Sequence, residues 1–206
     1  MALQRELAER LVFRPLPHPI RTVAGIDVSI KAGRARAAVA VLEYPSLREI
    51  EYATAEQAVT YPYIPGLLTF REAPAALEAL GMLATTPDLL MFDGQGYAHP
   101  RRLGLASHLG LILDRPSIGC AKSRLCGSFE APGIERGSTS ELVDGDEVIG
   151  AVVRTRTGVR PVFVSAGHLI DLAQSVSVVL NTCRGYRLPE PTRRAHRLSN
   201  NWLSES

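Results

Sequence analysis

The sequence predicts an α/β fold built on a central mixed sheet, and three observations predict it. Early in the chain, three strand-like segments follow one another with only short turns between them, the order of an antiparallel meander. Beyond residue 70 the period changes, and apolar residues at helical spacing alternate with short, wholly apolar runs, the pattern of strands buried on both faces. The clearest run is Leu89-Leu-Met-Phe92, which stops at Asp93 and is followed by Gly94 and Gly96, residues suited to a tight turn where the backbone comes close to something else.

Taken in order, Leu3, Leu7 and Leu11 define a short amphipathic helix that ends before Pro15, and residues 14–21 are a Pro-rich connector. Strands are predicted over Thr22–Ile30, Arg34–Glu43 and Arg48–Val59, with hairpin turn chemistry at Lys31-Ala-Gly33 and Tyr44-Pro-Ser46-Leu47. Pro74–Ala84 reads as a helix with Pro74 in its first turn and Leu77, Leu80 and Leu83 on one side. After the Leu89–Phe92 strand, Leu103, Ala106, Leu109 and Leu113 predict a helix from Pro100 to Leu113, and Ser117–Ala121 a further strand. Glu130–Glu147, rich in Gly, Ser and acids, reads as a surface excursion. Val148–Val153 and Pro161–Ser165 are strands, and Asp171–Asn181 is the last helix. There are no repeats and no low-complexity linker, so residues 1–206 are expected to form one domain. Three antiparallel strands followed by alternating helices and strands is the order of a ribonuclease H-like fold, its central mixed sheet flanked by helices.

Composition places the chain among ordinary globular proteins, with 46% hydrophobic and 21% charged residues. No apolar run approaches the ~20 residues of a membrane span, so no membrane partner is expected. Arg5, Glu6, Glu9 and Arg10 interrupt the apolar core that a signal peptide would need. The three cysteines, Cys120, Cys126 and Cys183, form no Cys-x-x-Cys pair and read as buried or neutral thiols in a reducing cytoplasm. The net charge of +2 is unevenly spread: Met1–Pro100 carries 9 basic and 11 acidic residues, the remainder 14 basic and 10 acidic. A basic C-terminal half suits a nucleic-acid backbone.

The chemistry concentrates at four positions. Asp27 interrupts an otherwise apolar strand, Val23-Ala-Gly-Ile-Asp27-Val-Ser29, where an unpartnered carboxylate is costly to bury. Glu72 precedes the predicted helix, a place where the helix dipole alone also favours an acid. Asp93 ends the central strand, where open α/β sheets bind ligands and where an Asx-turn would equally close a strand. His196 lies in the basic C-terminal segment. In a fold of this order the first strand and the Leu89–Phe92 strand are neighbours, which brings Asp27 and Asp93 together. Carboxylates that close repel by several kcal/mol per pair at an effective dielectric of ~20. They need protons or a bridging cation, and Mg²⁺ or Mn²⁺ suits oxygen ligands.

Five blocks carry a further signal. They read Val23-Ala-Gly-Ile-Asp27-Val-Ser29; Tyr61-Pro-Tyr63-Ile-Pro65-Gly66-Leu-Leu68-Thr-Phe-Arg-Glu72; Asp93-Gly-Gln-Gly96-Tyr-Ala-His99-Pro-Arg101 with Leu103-Gly-Leu-Ala-Ser-His-Leu-Gly110; Pro116-Ser-Ile-Gly-Cys-Ala-Lys122-Ser-Arg-Leu125; and Arg187-Leu-Pro-Glu-Pro-Thr-Arg193. In this order, from about Val23 to His196, they resemble the endonuclease V family of deoxyinosine-specific repair nucleases. The resemblance implies a ribonuclease H-like fold and Mg²⁺-dependent hydrolysis, with Mn²⁺ able to substitute, of the second phosphodiester 3′ to deoxyinosine, leaving 3′-hydroxyl and 5′-phosphate ends. By the same resemblance Asp27, Glu72 and Asp93 match the metal-binding acids, His196 a C-terminal metal-site position, Lys122 a lysine beside the scissile phosphate, and Tyr63 a wedge tyrosine. The chain departs from the family pattern at Gln95, where many members have histidine, and at Tyr97, where an aliphatic residue is usual.

Residue chemistry supports these roles. Only two of the 23 basic residues are lysines, Lys31 and Lys122, so a lysine at position 122 points to a compact point charge. Pro62 and Pro65 stiffen the loop that carries Tyr63, so an inserted aromatic loses little entropy, and a wedge prepares base flipping. Backbone groups of Gly66 and Leu68, Gly94 and Gly96, Gly104 and Leu105, and Ala121 to Leu125 are expected to form the pocket for the flipped hypoxanthine. His99 and Arg101 are candidates for phosphate contacts at a helix start, while His168 is expected to be structural or phosphate-binding and His108 is unassigned. The expected partner is deoxyinosine-containing DNA, with inosine-containing RNA second, for a cytoplasmic monomer. A junction-resolvase-like metal nuclease would explain the acids but not the Tyr63 loop, and an inactive nucleic-acid-binding module would require a lost ligand.

Overall fold

The computed structural model describes residues 2–61 and 69–202. In chain order the elements are α1 (Ala2–Ala8), β1 (Thr22–Lys31), β2 (Arg34–Glu43), β3 (Glu49–Ala58), α2 (Thr69–Gly81), β4 (Leu89–Phe92), α3 (Leu105–Leu113), β5 (Ser117–Ala121), β6 (Thr139–Asp144), β7 (Glu147–Val153), β8 (Val162–His168), α4 (Leu172–Thr182) and α5 (Glu190–Ser199). The eight strands form one sheet in the order β3-β2-β1-β4-β5-β8-β7-β6. The central β1–β4 and β4–β5 pairs are parallel and the outer pairs antiparallel, a mixed sheet flanked by helices as expected for a ribonuclease H-like fold.

The pleat decides which helix each strand residue meets. Ala24 and Ile26 of β1, with Leu90 and Phe92 of β4, pack on one face with Ala75, Ala76 and Ala79 of α2 and Leu105, Ala106 and Leu109 of α3. Val23 of β1, with Leu89 and Met91 of β4 and Ile118 and Cys120 of β5, lies on the other face with Val178 and Val179 of α4. Burial keeps the thiols of Cys120 and Cys183 neutral, the latter pushed up to about 12. All three cysteines are free.

Helix α1 ends at Ala8, before Leu11, and α2 at Gly81 rather than Ala84, and five further differences from the sequence expectation have a physical reason. Helix α2 starts at Thr69, so Pro74 lies inside it rather than in its first turn, and Glu72 belongs to that turn rather than preceding the helix. The alanines, with Thr69 and Glu72, form the buried stripe, while Leu77, Leu80 and Leu83 pack at the rim of the core. Helix α3 starts at Leu105 rather than Pro100, because Arg102 has φ 56°, a left-handed conformation that no helix interior accepts, and Gly104 caps the helix in an extended conformation. Residues 139–144, read as part of a surface excursion, are strand β6, paired with β7 at the edge of the sheet. In β6 only Leu142 is buried, so the apolar alternation is missing from the sequence. Strand β8 runs on to His168, beyond Ser165, and is buried along its whole length. Finally, α4 is not the last helix. Helix α5 follows it, with a buried face of Pro191, Thr192, Ala195 and Ser199 that shows no apolar periodicity.

Candidate functional site

The site is built on alternate residues of β1. Gly25, Asp27 and Ser29 share the face that α5 covers. At Gly25 the helix lies so close that an added Cβ would stand 2.0 Å from the Pro191 carbonyl carbon, so only glycine lets α5 begin there. One turn before the end of α5, His196 Nδ1 is 3.2 Å from Asp27 Oδ2. The hydroxyl of Ser199 donates to the same oxygen. Asp27 is 8% exposed.

Parallel pairing then brings in the second acid. Ile26 is the register partner of Phe92, and the Asp93 N–H donates to the Ile26 carbonyl at 3.0 Å, so Asp93 follows directly beside Asp27. The side chains of Asp27, Asp93 and His196 each offer a ligand atom within 4.8 Å of the others, a grouping that could hold a metal ion. Lys122, one residue beyond β5, reaches Asp93 Oδ2 with its Nζ at 2.5 Å. Burial raises the Asp93 carboxyl above its ordinary value, against the lowering effect of Lys122.

Glu72 arrives from the opposite face of the sheet on the first turn of α2, and is 9% exposed. Burial first, then the charges of Asp27 and Asp93, push its carboxyl up to about 8, with Arg71 opposing them. Asp27 from the middle of β1, Asp93 from the end of β4 and Glu72 from α2 therefore converge, and burial together with the two neighbouring charges raises the Glu72 carboxyl.

A cavity of about 390 Å³ opens beside these acids. Glu72, Asp93 and Lys122 border it on one side; Gly94, Gln95, Gly104 and Leu105 form a second wall and Ala121 through Leu125 a third. Gln95 Nε2 donates to the Ser123 carbonyl at 2.9 Å, tying two of these walls together. Arg102 fastens the Asp93 loop from outside, its Nε on Glu147 at 2.7 Å and its Nη1 on Asp144 at 2.9 Å, both on the β6–β7 hairpin.

Most sequence-selected residues thus meet at one place: Asp27, Glu72, Asp93, Lys122 and His196 at the acids, and Gly94, Gly104, Leu105, Ala121 and Leu125 around the cavity. Gly96 is not in the wall. It lies behind it, where a Cβ would stand 2.4 Å from the Ala166 carbonyl oxygen, and its N–H donates to Ser165 Oγ. His99 borders the cavity but is buried, and its Nδ1 accepts the Arg101 N–H at 3.1 Å. Because α3 begins later, neither His99 nor Arg101 stands at a helix start, and Arg101 Nε instead donates to Gln4 of α1 at 2.6 Å. His168 accepts the Val12 N–H through Nδ1 and lies 3.7 Å from Asp114, holding the segment that follows α1 to the end of β8. His108 is buried against the edge of Phe70, and burial lowers its pKa. Tyr63, Pro65, Gly66 and Leu68 lie outside the described residues. The sequence reading did not single out Val28, Thr69 or Ser199; the first two border the cavity, and nothing in their local pattern marks them.

The family profile for Endonuclease V matches residues 5–197, so it covers the acids, the cavity and α5 as far as Arg197. The chain belongs to the endonuclease V family. An Endonuclease V of Methanothrix thermoacetophila is 57% identical over 197 residues, which cover 96% of this chain and 87% of that protein. The crystal structure of Endonuclease V from Streptomyces avermitilis superposes with a TM-score of 0.92 at 44% identity, covering 96% of this chain and 89% of that one. A third endonuclease V, from Ciona intestinalis, has been solved in complex with a 24mer DNA containing an inosine followed by a ribo-adenosine; it matches with a TM-score of 0.83 at 27% identity, over 96% and 93% of the two chains. Among the described residues of this endonuclease V family member, no helix is long and apolar enough to cross a membrane.

Proposed function

We propose that this chain acts as a single nuclease domain that recognises deoxyinosine in DNA and hydrolyses the second phosphodiester on its 3′ side with Mg²⁺, leaving 3′-hydroxyl and 5′-phosphate ends. One observation carries the reading: the cluster of Asp27, Asp93 and His196 adjoins, through Asp93, a cavity of about 390 Å³ that Glu72, Asp93 and Lys122 border together with Gly94, Gly104 and the segment from Ala121 to Leu125. The acids fit a hard divalent cation. Carboxylate oxygens from Asp27 and Asp93 lie within 4.8 Å of each other and of a His196 nitrogen, and burial first, then the charges of Asp27 and Asp93, raise the Glu72 carboxyl. Asp27, Asp93 and Glu72 would hold the ion, with His196 at the edge of the set. When bound, Mg²⁺, or Mn²⁺ in its place, would supply positive charge at the phosphate and a lower pKa for an attacking water.

The remaining work falls to the chain itself. Lys122, held against Asp93, offers a compact positive charge to a phosphate oxygen while the bond from phosphorus to the 3′ oxygen breaks. Tyr63, which stands between Pro62 and Pro65 in the sequence, would open the stack so that the lesion leaves the duplex. Peptide groups of the walls match hypoxanthine, which presents O6 as an acceptor and N1–H as a donor. Guanine shares both groups but adds a 2-amino group, and burying that donor without a partner costs ~1–3 kcal/mol, about tenfold or more in selectivity. The substrate is inosine-containing DNA, with inosine-containing RNA second, and the enzyme works as a cytoplasmic monomer.

The test is single-turnover cleavage of matched single-stranded oligonucleotides bearing inosine or guanosine at one position, with and without Mg²⁺, alongside the inosine duplex. Cutting is expected at inosine only with the metal, one phosphodiester beyond the adjacent one on the 3′ side. Equal rates on guanosine would show that the cavity does not read the base, and metal-independent cutting would remove the role of the acids.

A further inference from the structure

From the end of α5 we infer that Ser199 is a positioning residue for the metal site: its buried hydroxyl orients the Asp27 carboxylate. The inference rests on the reading of Asp27 as a metal ligand and adds a residue that no sequence motif marked. Ser199 is fully buried. A polar side chain at that depth needs a partner, and this hydroxyl donates to Asp27 Oδ2. The His196 carbonyl, 3.1 Å away, is a second acceptor within reach.

The position follows from how α5 lies on β1. Thr192, Ala195 and Ser199 occupy one helical stripe, and all are buried against the sheet. Along β1 the facing residues are Gly25, Asp27 and Ser29. Gly25 meets the start of the helix, Asp27 meets His196 and Ser199, and the Ser29 hydroxyl donates to the Ser199 carbonyl at 2.5 Å. Arg36 Nε donates to the Leu198 carbonyl at 3.3 Å. The last turn of α5 is therefore fastened to two strands, and the Ser199 side chain is aimed from a fixed backbone. An apolar residue on this stripe would pack equally well against a sheet, but it would face the Asp27 carboxylate with no donor. Hydrogen bonds of this kind fix the orientation of a ligating carboxylate, and their loss typically weakens metal binding ~10–100-fold.

The experiment measures Mn²⁺ binding to the full chain by the free-ion electron paramagnetic resonance signal, without substrate, for the unaltered protein, Ser199→Ala, Ser199→Cys and Ser29→Ala. Ser199→Ala is expected to raise the half-saturating Mn²⁺ concentration by about tenfold or more. Ser199→Cys keeps the shape with a weaker donor and is expected to shift in the same direction by less, which also serves if the alanine variant does not fold. Ser29→Ala loosens the end of the helix without removing the bond to Asp27, and its affinity is expected to stay close to that of the unaltered protein. A shift in Ser199→Ala of less than about tenfold, a folded Ser199→Cys that binds like the unaltered protein, or an equal shift in Ser29→Ala would overturn the inference, the last because anchoring of α5 would then be the whole effect. Failure of the unaltered protein to bind Mn²⁺ at all would instead overturn the metal-site reading on which the inference stands.

Discussion

Replacing Gly25 by alanine tests whether the seat of α5 on β1 builds the site. The new Cβ would lie 2.0 Å from the Pro191 carbonyl carbon and 2.1 Å from its oxygen, both backbone atoms that no rotamer change can move. To restore an ordinary contact of about 3.4 Å, the start of the helix must retreat by about 1.4 Å. Overpacking of this kind costs ~1–3 kcal/mol of stability, which leaves most domains folded. The larger effect falls on chemistry, because His196 and Ser199 ride on the same helix and both meet Asp27. Misplacing a site by ~1 Å costs on the order of 100-fold in rate. The expected result for Gly25→Ala is a lower melting temperature with native circular dichroism, and a fall of about 100-fold in kcat/KM on an inosine-containing oligonucleotide at saturating Mg²⁺. A variant that melts lower but cuts within about threefold of normal would refute the reasoning, since α5 could then move without disturbing Asp27.

Two other outcomes follow from the acids. Asp93→Asn and Asp27→Asn should each abolish Mg²⁺-dependent cutting while the circular dichroism spectrum stays native; near-normal turnover by either would remove that carboxylate from the site. Glu72 gives a pH dependence: its carboxyl is pushed from 4.5 up to about 8, so the folded, metal-free protein binds that proton more tightly than the unfolded chain does. Its stability should therefore fall as pH rises from about 4.5 to about 8, and Glu72→Gln should flatten the slope. Calorimetric melting in chelator across that range checks the sign, and equal slopes for the two proteins would be the contrary result.

The alternation of short apolar runs with helical spacing was enough to read β1, β2, β4 and β5 nearly to the residue, because buried strands declare themselves by composition. It missed β6, an edge strand with one buried residue, and α5, whose buried face is proline, threonine, alanine and serine. In both cases the burial is arranged by neighbours rather than by the segment's own hydrophobicity. The start of α3 was misplaced because a left-handed Arg102 has no signature in a helical pattern.

The acids were legible for a similar reason. Asp27 and Asp93 stand out because each interrupts or ends an apolar strand, and the adjacency of their strands follows from chain order. His196 and Lys122 were visible through motif resemblance, not through local physics. What the amino-acid sequence by itself determined was therefore the strands other than β6, the central acids and the family. Only the tertiary structure decided that Glu72 comes round from the other face of the sheet, that Gly96 and Arg101 turn away from the cavity, and that Ser199 reaches Asp27. The placements of Glu72 and Ser199 depend on where a helix lies against the sheet, and Gly96 on the approach of its loop to Ala166 of β8; backbone approaches such as Gly25 against Pro191 involve residues 166 positions apart and leave no periodic trace along the chain.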